Sequence, residues 1–217
     1  MDEAAYTRQR LRMVEEQIEA REIRDDRVLE ALRKVPRHQF ISPEQRYAAY
    51  TDGPLPIGLH QTISQPYIVA LMTELLHLQG NEVVLEVGTG SGYQAAILSC
   101  LARQVHTIER HAELAERAER VLREVGITNV QVHVRDGTLG LPEFAPFQGI
   151  MATAAAPKAP QPLLDQLADG GRLVLPVGSF GGQVLEFWQR DGDALTHRAV
   201  LPVAFVPMIG VHGWDEM

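Results

Sequence analysis

The chain reads as an α/β protein built on a doubly wound, mostly parallel sheet, with a helical section before the sheet and an antiparallel hairpin after it. Three observations predict this. Between residues 82 and 178 short apolar runs alternate with helical stretches, the pattern of right-handed strand–helix–strand crossovers. The run Val83-Val84-Leu85-Glu86-Val87 ends in Gly88-Thr89-Gly90-Ser91-Gly92 and passes straight into a helix. Segments 184–189 and 195–200 flank Asp191-Gly192, a strong hairpin signal.

Each element has its own reason. In the helical section Leu11, Val14 and Ile18 share one face at helical spacing. Asp25 or Asp26 can cap a second helix carrying Val28, Leu29, Leu32 and Val35, which Pro36 ends. A Pro/Gly-rich loop follows over 51–58, and then a helix bearing Ile68, Leu71, Met72, Leu75 and Leu76. Strands are expected at 82–87, 104–109, 130–134, 148–154 and 172–177, a charged helix at 113–124, and a last extended segment at 203–207. The expected sections are 1–78 (helical, with a substrate-side loop), 79–178 (the cofactor-binding core) and 179–217 (antiparallel strands completing the sheet and the substrate side).

With 217 residues, 45% hydrophobic and 22% charged, the chain has enough length for one large core. A net charge of −8 supplies no basic stripe for nucleic acid or anionic lipid, so neither is an expected partner. The charged start carries no apolar signal core, and no apolar run approaches a membrane span. A cytoplasmic monomer is the expectation. Cys100, the single cysteine, rules out an internal disulfide and a multi-cysteine metal cluster, and its neighbours make it a helix-face hydrophobe; no metal site is expected.

Alternate glycines at 88, 90 and 92 let the backbone turn tightly and approach a ligand without Cβ interference. The spacing is not the Gly-x-Gly-x-x-Gly that cradles a dinucleotide pyrophosphate, which places an NAD-dependent dehydrogenase last among the readings. It suits a ligand without phosphate, such as S-adenosylmethionine. Glu109 closes the next strand 21 positions after Gly88, where an acidic side chain can accept both ribose hydroxyls; the alternative is a solvated Glu opening the following helix. Asp136 could accept from an adenine amino group while Gly137 leaves room for the ring, or Asp-Gly could be an ordinary turn. Gly88, Glu109, Asp136 and Thr153 all fall at carboxyl ends of strands, where ligands bind in open sheets. Upstream, Ser64 fits a helix N-cap ahead of Pro66, and free N–H groups at the same helix start can also bind a carboxylate.

Taken together, Gln61-Thr62-Ile63-Ser64-Gln65-Pro66, the glycine segment from Leu85 to Tyr93, Thr153-Ala154-Ala155-Ala156-Pro157, the segment from Gly170 to Gly178 and Phe205-Val206-Pro207 resemble the protein-L-isoaspartate O-methyltransferase family over nearly the whole chain. The resemblance implies a sheet of the class I S-adenosylmethionine-dependent methyltransferase type. It implies Ser64 as the active-site serine with Thr62 beside it at the substrate carboxylate. It implies Glu86, Gly88, Gly90, Ser91, Gly92, Glu109, Asp136 and Gly137 at the cofactor, and damaged proteins or peptides as substrates. Three positions depart from the family pattern: Gln148 where Asp usually follows Pro-Phe, Arg135 where Gly usually precedes Asp-Gly, and Ala204 where a basic residue commonly precedes Phe-Val-Pro. Two rival readings are a related methyltransferase acting on aspartate of a dedicated peptide, and a non-catalytic adenosylmethionine-binding module.

Overall fold

In the computed structural model, which describes residues 2–179 and 181–216, the chain opens with α1 (Glu3–Met13) and α2 (Asp26–Lys34). A π-turn at Val14–Ile18 follows α1 directly. Its wider winding rotates downstream residues relative to upstream ones. Val14 and Ile18 are therefore buried as expected, but Leu11 is 46% exposed and Met13 takes its place in the core. Asp25, not Asp26, caps α2, accepting from the backbone of Arg27 at 2.9 Å and of Val28 at 3.4 Å, while Val28, Leu29, Leu32 and Val35 are all buried.

The expected loop at 51–58 is partly a strand. β1 (Leu55–Gly58) pairs antiparallel with β2 (Gln61–Ile63) in a small separate hairpin, turned by Gly58, Leu59 and His60 at positive φ. A proline in a four-residue strand argues against sheet when read locally; Pro56 is tolerated because the hairpin has only edges. Next comes α3 (Pro66–Leu76), where Gln65 is the N-cap residue and makes no side-chain cap bond. Ser64 stands one residue outside, so the capping role expected for it is not there.

The main sheet contains β3 (Val83–Val87), β4 (Gln104–Glu109), β5 (Val130–Val134), β6 (Phe147–Ala152), β7 (Leu167–Ser179), β8 (Gly182–Asp191) and β9 (Ala194–Val203), in the order β5-β4-β3-β6-β7-β8-β9. The first five are parallel, and β8 and β9 run antiparallel, as the hairpin signal predicts. Helices α4 (Tyr93–Ser99), α5 (Ala112–Glu124) and α6 (Gln161–Asp165) connect the strands. Cys100 lies exposed just past α4 rather than on a buried face, its thiol 3.6 Å from the Ala96 carbonyl. Burial nonetheless pushes the thiol pKa up, which leaves it a poor nucleophile.

One apolar cluster draws on every section, from Met13 and Leu32 through Leu76 and Val84 to Val174 and Leu185. The segment after β9 is not a strand. It crosses the carboxyl edge of the sheet, where the Ala155 N–H donates to the Val206 carbonyl and the Met208 N–H to the Ala155 carbonyl, both at 2.8 Å. Because Asp25 alone among side chains caps α2, Asp25→Ala should lower unfolding free energy by about 0.5–2 kcal/mol, measured by urea denaturation with an unchanged m-value.

Candidate active site

Strand order reverses at β3, which leads outward to β4 and β5 on one side and has β6 on the other. The crevice beyond the carboxyl ends of these strands is where such a sheet binds a ligand. Gly88 sits there at φ +102°, donating to the Ile108 carbonyl at 2.8 Å, and a Cβ on it would lie 2.3 Å from Thr153 Oγ1. Thr153 in turn donates to the Gly88 carbonyl at 2.6 Å. The N–H of Gly90 (φ +52°) donates to Glu109 Oε2 at 2.9 Å, and the His111 N–H to Oε1 at 3.0 Å. Gly88, Gly90, Glu109 and Gly137 all line this crevice, so four of the expected cofactor residues converge. It is narrow, about 70 Å³, against roughly 300–1,000 Å³ for most small-molecule sites. Val206, Pro207, Met208 and Ile209 line it as well.

Other expected cofactor residues lie behind the turn. Gly92 at φ +86° starts α4 and packs on α5, where its Cβ would be 3.2 Å from that of Ala118. Ser91 accepts from the Tyr93 N–H at 3.2 Å and faces a different cavity. Asp136 is turned to its own loop and to the chain end, accepting from Thr138 N at 2.8 Å, Thr138 Oγ1 at 2.7 Å and Val211 N at 2.8 Å. Partial burial opposes ionisation of Asp136, but these hydrogen bonds outweigh it and hold its pKa below the usual carboxylate range. Gly137 makes room for protein rather than for a ring, since its Cβ would lie 2.4 Å from Val87 Cγ1. Glu86 is wholly buried, accepting from Thr107 Oγ1 at 2.5 Å while its Oε1 has no partner. Burial pushes its pKa up to about 8; the Thr107 hydrogen bond opposes this and nearby Glu109 adds to it.

A second, larger cavity of about 540 Å³ adjoins the crevice and holds Thr62, Ser64 and Gln65. The Ser64 hydroxyl has no hydrogen-bond partner among the described residues and is half-buried; Thr62 is exposed. Thr62, Thr153 and Val206 line both cavities and form the boundary between them. Two residues at this site escaped the reading of the sequence as site residues. Thr153 was visible only as a strand end. Arg21 enters from the helical section with its guanidinium 3.4 Å from the Tyr67 ring centroid and 2.8 Å from Asp52, which also accepts from Gln65 at 2.8 Å. Nothing local marks Arg21, because only folding brings it across 46 positions to Tyr67 in α3.

Of the departing positions, Gln148 accepts from the Val83 N–H at 2.8 Å and ties β6 to the start of β3. Arg135 pairs with Glu143 at 2.7 Å, and Ala204 lines the larger cavity. None occupies the glycine turn. His60 and His77 are positive-φ turn residues and His133 pairs with His106 at 3.1 Å, so none of them faces the large cavity.

A sheet with this strand order, a glycine turn after β3 and a carboxylate closing β4 defines a class I S-adenosylmethionine-dependent methyltransferase. The family described as protein-L-isoaspartate(D-aspartate) O-methyltransferase matches residues 8–213. Protein-L-isoaspartate O-methyltransferase 1 of Syntrophobacter fumaroxidans is 54% identical over 210 residues, covering 97% of this chain and 98% of that one. The protein-L-isoaspartate O-methyltransferase of Methanoregula boonei is 55% identical over 208 residues, covering 96% of each. Among solved structures, a protein-L-isoaspartate O-methyltransferase superposes with a TM-score of 0.79 at 29% identity over 87% of this chain, which spans 63% of that longer chain. A Plasmodium falciparum structure described as a beta-aspartate methyltransferase in complex with S-adenosyl-L-homocysteine superposes at 0.82 and 23% identity, over 92% of this chain and 98% of that one, and speaks to fold alone. The chain belongs to the protein-L-isoaspartate O-methyltransferase family.

The raised pKa of Glu86 has a consequence for stability. Between the ordinary carboxylate pKa and about 8 the folded protein keeps a proton that the unfolded chain has lost. Stability from this group is complete at low pH, falls by about 1.4 kcal/mol per pH unit through that window and levels off above it. Glu86→Gln should abolish that slope and make the variant more stable than the parent at pH 8, measured by denaturation at pH 5, 6.5 and 8. Parallel slopes in the two proteins would show Glu86 ionised in the fold.

Proposed function

We propose that this protein transfers a methyl group from S-adenosylmethionine to the free α-carboxylate of L-isoaspartyl residues in damaged proteins or peptides, starting their repair. The observation that carries the proposal is the pair of adjoining cavities meeting at Thr62, Thr153 and Val206, with an unpartnered hydroxyl on Ser64 in the larger one. The crevice fits the cofactor chemically, since a Cβ-free backbone at Gly88 and Gly90 lies beside a carboxylate, Glu109, whose oxygens each keep a lone-pair direction for a ribose hydroxyl. Gly137 would border the adenine side of the crevice through its backbone, with Asp136 bracing that loop through Thr138 and Val211. Glu86, Ser91 and Gly92 support the turn from behind. Loading requires the wall of Val206 to Ile209 to give way, because about 70 Å³ is too small for a nucleoside.

When bound, S-adenosylmethionine would supply an electrophilic methyl group on a sulfonium, whose S–CH3 bond breaks with its electron pair left on sulfur as the neutral thioether S-adenosylhomocysteine. The accepting carboxylate, with an ordinary pKa near 4, is already ionised at neutral pH, so no general base is needed. The chain supplies orientation. Ser64 and Thr62 donate charge-assisted hydrogen bonds to the carboxylate and aim it at the boundary between the cavities. In-line placement of this kind is worth up to roughly 7–11 kcal/mol in ideal cases. The attacking oxygen gains the methyl, giving an ester. The following backbone nitrogen then attacks the ester carbonyl, methanol leaves with the nitrogen's proton, and the resulting succinimide opens with water partly to normal aspartate.

No helix among the described residues is long and apolar enough to cross a membrane. We place the enzyme in the cytoplasm, as a monomer with no nucleic-acid partner; the net charge of −8, which offers no basic stripe for phosphates, supports the last of these.

With labelled cofactor, an isoaspartyl peptide should be methylated in strong preference to its aspartyl twin, counted as base-labile ester; equal labelling would instead favour an aspartate methyltransferase of broader scope. Ser64→Ala should leave folding stability within about 0.5 kcal/mol, since Ser64 caps nothing. Single-turnover methyl transfer should fall at least tenfold, about 1.4 kcal/mol of transition-state stabilisation, with cofactor affinity unchanged by calorimetry. Parental turnover in the folded, saturated variant would remove Ser64 from the chemistry.

A further inference from the structure

On the far side of the glycine turn from the substrate lies a third cavity, of about 300 Å³, which shares no lining residue with the other two. Arg46, from the 3₁₀ turn Pro43–Ala48, and Arg117 and Arg120, from α5, all line it. Arg117 and Arg120 stand three residues apart and so share a helix face. None of the three has a carboxylate within 4.0 Å among the described residues, although other arginines of the chain, such as Arg12, Arg21, Arg33, Arg110 and Arg135, do. Arg46 Nε is buried without any hydrogen-bond partner. Arg117 donates instead to the Ile57 carbonyl in β1, the hairpin whose other strand carries Thr62. In a chain of net charge −8, three cations facing one cavity that a single lining carboxylate, Glu124, cannot neutralise call for an anion from outside.

We propose that this cavity is a binding site for a small diphosphate-bearing anion. Three guanidiniums exceed what one carboxylate can neutralise, and their planar donor forks match phosphate oxygens. Glu124 at the lining and Glu44 near Arg46 lower the net positive charge of the site, so the case for a diphosphate rests on the three guanidinium forks that remain in excess of the one lining carboxylate. Ser91 adds a hydroxyl from the glycine turn, and Phe40, Ile57 and Val121 add apolar floor. The volume exceeds a single phosphate.

The test is calorimetric titration of the intact protein with inorganic pyrophosphate, and separately with ADP, in metal-free buffer. Saturable one-site binding is expected, with Kd raised at least tenfold by Arg120→Gln and by Arg46→Gln. Arg123→Gln, which alters an exposed arginine next to Glu119 outside the cavity, should leave Kd unchanged. Equal affinities for the two probes would assign the site to the diphosphate group itself, and tighter ADP binding to a nucleotide. Absence of saturation by both probes overturns the proposal, as does equal weakening by Arg123→Gln, which would mean unspecific charge attraction. Arg120 is exposed, so its variant folds, and an unchanged melting temperature with unchanged Kd is equally fatal.

Discussion

The meeting of β3 and β6 at Gly88 is the constraint on which the rest of the site depends. Strand ends approach there so closely that one methyl group would overlap the Thr153 hydroxyl, and Thr153 answers by donating to the Gly88 carbonyl. Only a residue without Cβ, at positive φ, permits this contact. One turn later the Gly90 N–H finds Glu109, which fastens the end of β3 to the end of β4. Backbone that would otherwise need water is satisfied by a carboxylate, and that carboxylate is held with one edge open to the crevice.

The same economy governs the chain end. Its segment has lost strand geometry, so its amides need other acceptors, and it takes them from Ala155 and from Asp136. Gly210 would drive a Cβ to 2.1 Å from Asp136 Oδ1, and Trp214 donates its indole N–H to the Ala155 carbonyl at 3.1 Å. The loop of Asp136 is thus the anchor of the chain end that follows the wall of the crevice.

The helical section is held together by buried polar contacts as well as by apolar ones. Arg37 is wholly buried, donates to the Ala49 carbonyl at 2.8 Å, and has its pKa lowered to about 10 by burial. His38 is stacked on Tyr6 at 3.9 Å and bonded to Tyr50 at 2.8 Å. Such contacts specify one internal arrangement of the section, since misplacing them leaves buried polar groups unpaired. Arg21, from the same section, lines the larger cavity.

How much was legible in the residues follows from the range of the forces concerned. Apolar periodicity, the alternate glycines and Asp191-Gly192 act within a few residues, and they were enough for the alternation of strands and helices, the hairpin and the crevice, while the family came from the resemblance carried by the segments around Ser64, the glycine turn and Phe205-Val206-Pro207. Strands 104–109 and 130–134 fall where the pattern put them. The misreadings are of one kind. Leu11 and Cys100 were judged by their neighbours in sequence, but their environment is set by a π-turn and a helix end, while the strand at 55–58 exists only through pairing with 61–63 that Pro56 argues against locally. Ser64 looked like a cap because Ser before Pro is a local signal, whereas the chain enters the helix one residue later and leaves its hydroxyl free. By itself the sequence determined the fold class, the glycine turn and the identity of the groups available to the chemistry, because these depend on side-chain type and short spacing. Only tertiary structure decided which of those groups face the crevice, that Glu86 is held as a buried acid, and that Arg21 lines the same cavity as Ser64, because each depends on burial and distance between segments far apart in the chain.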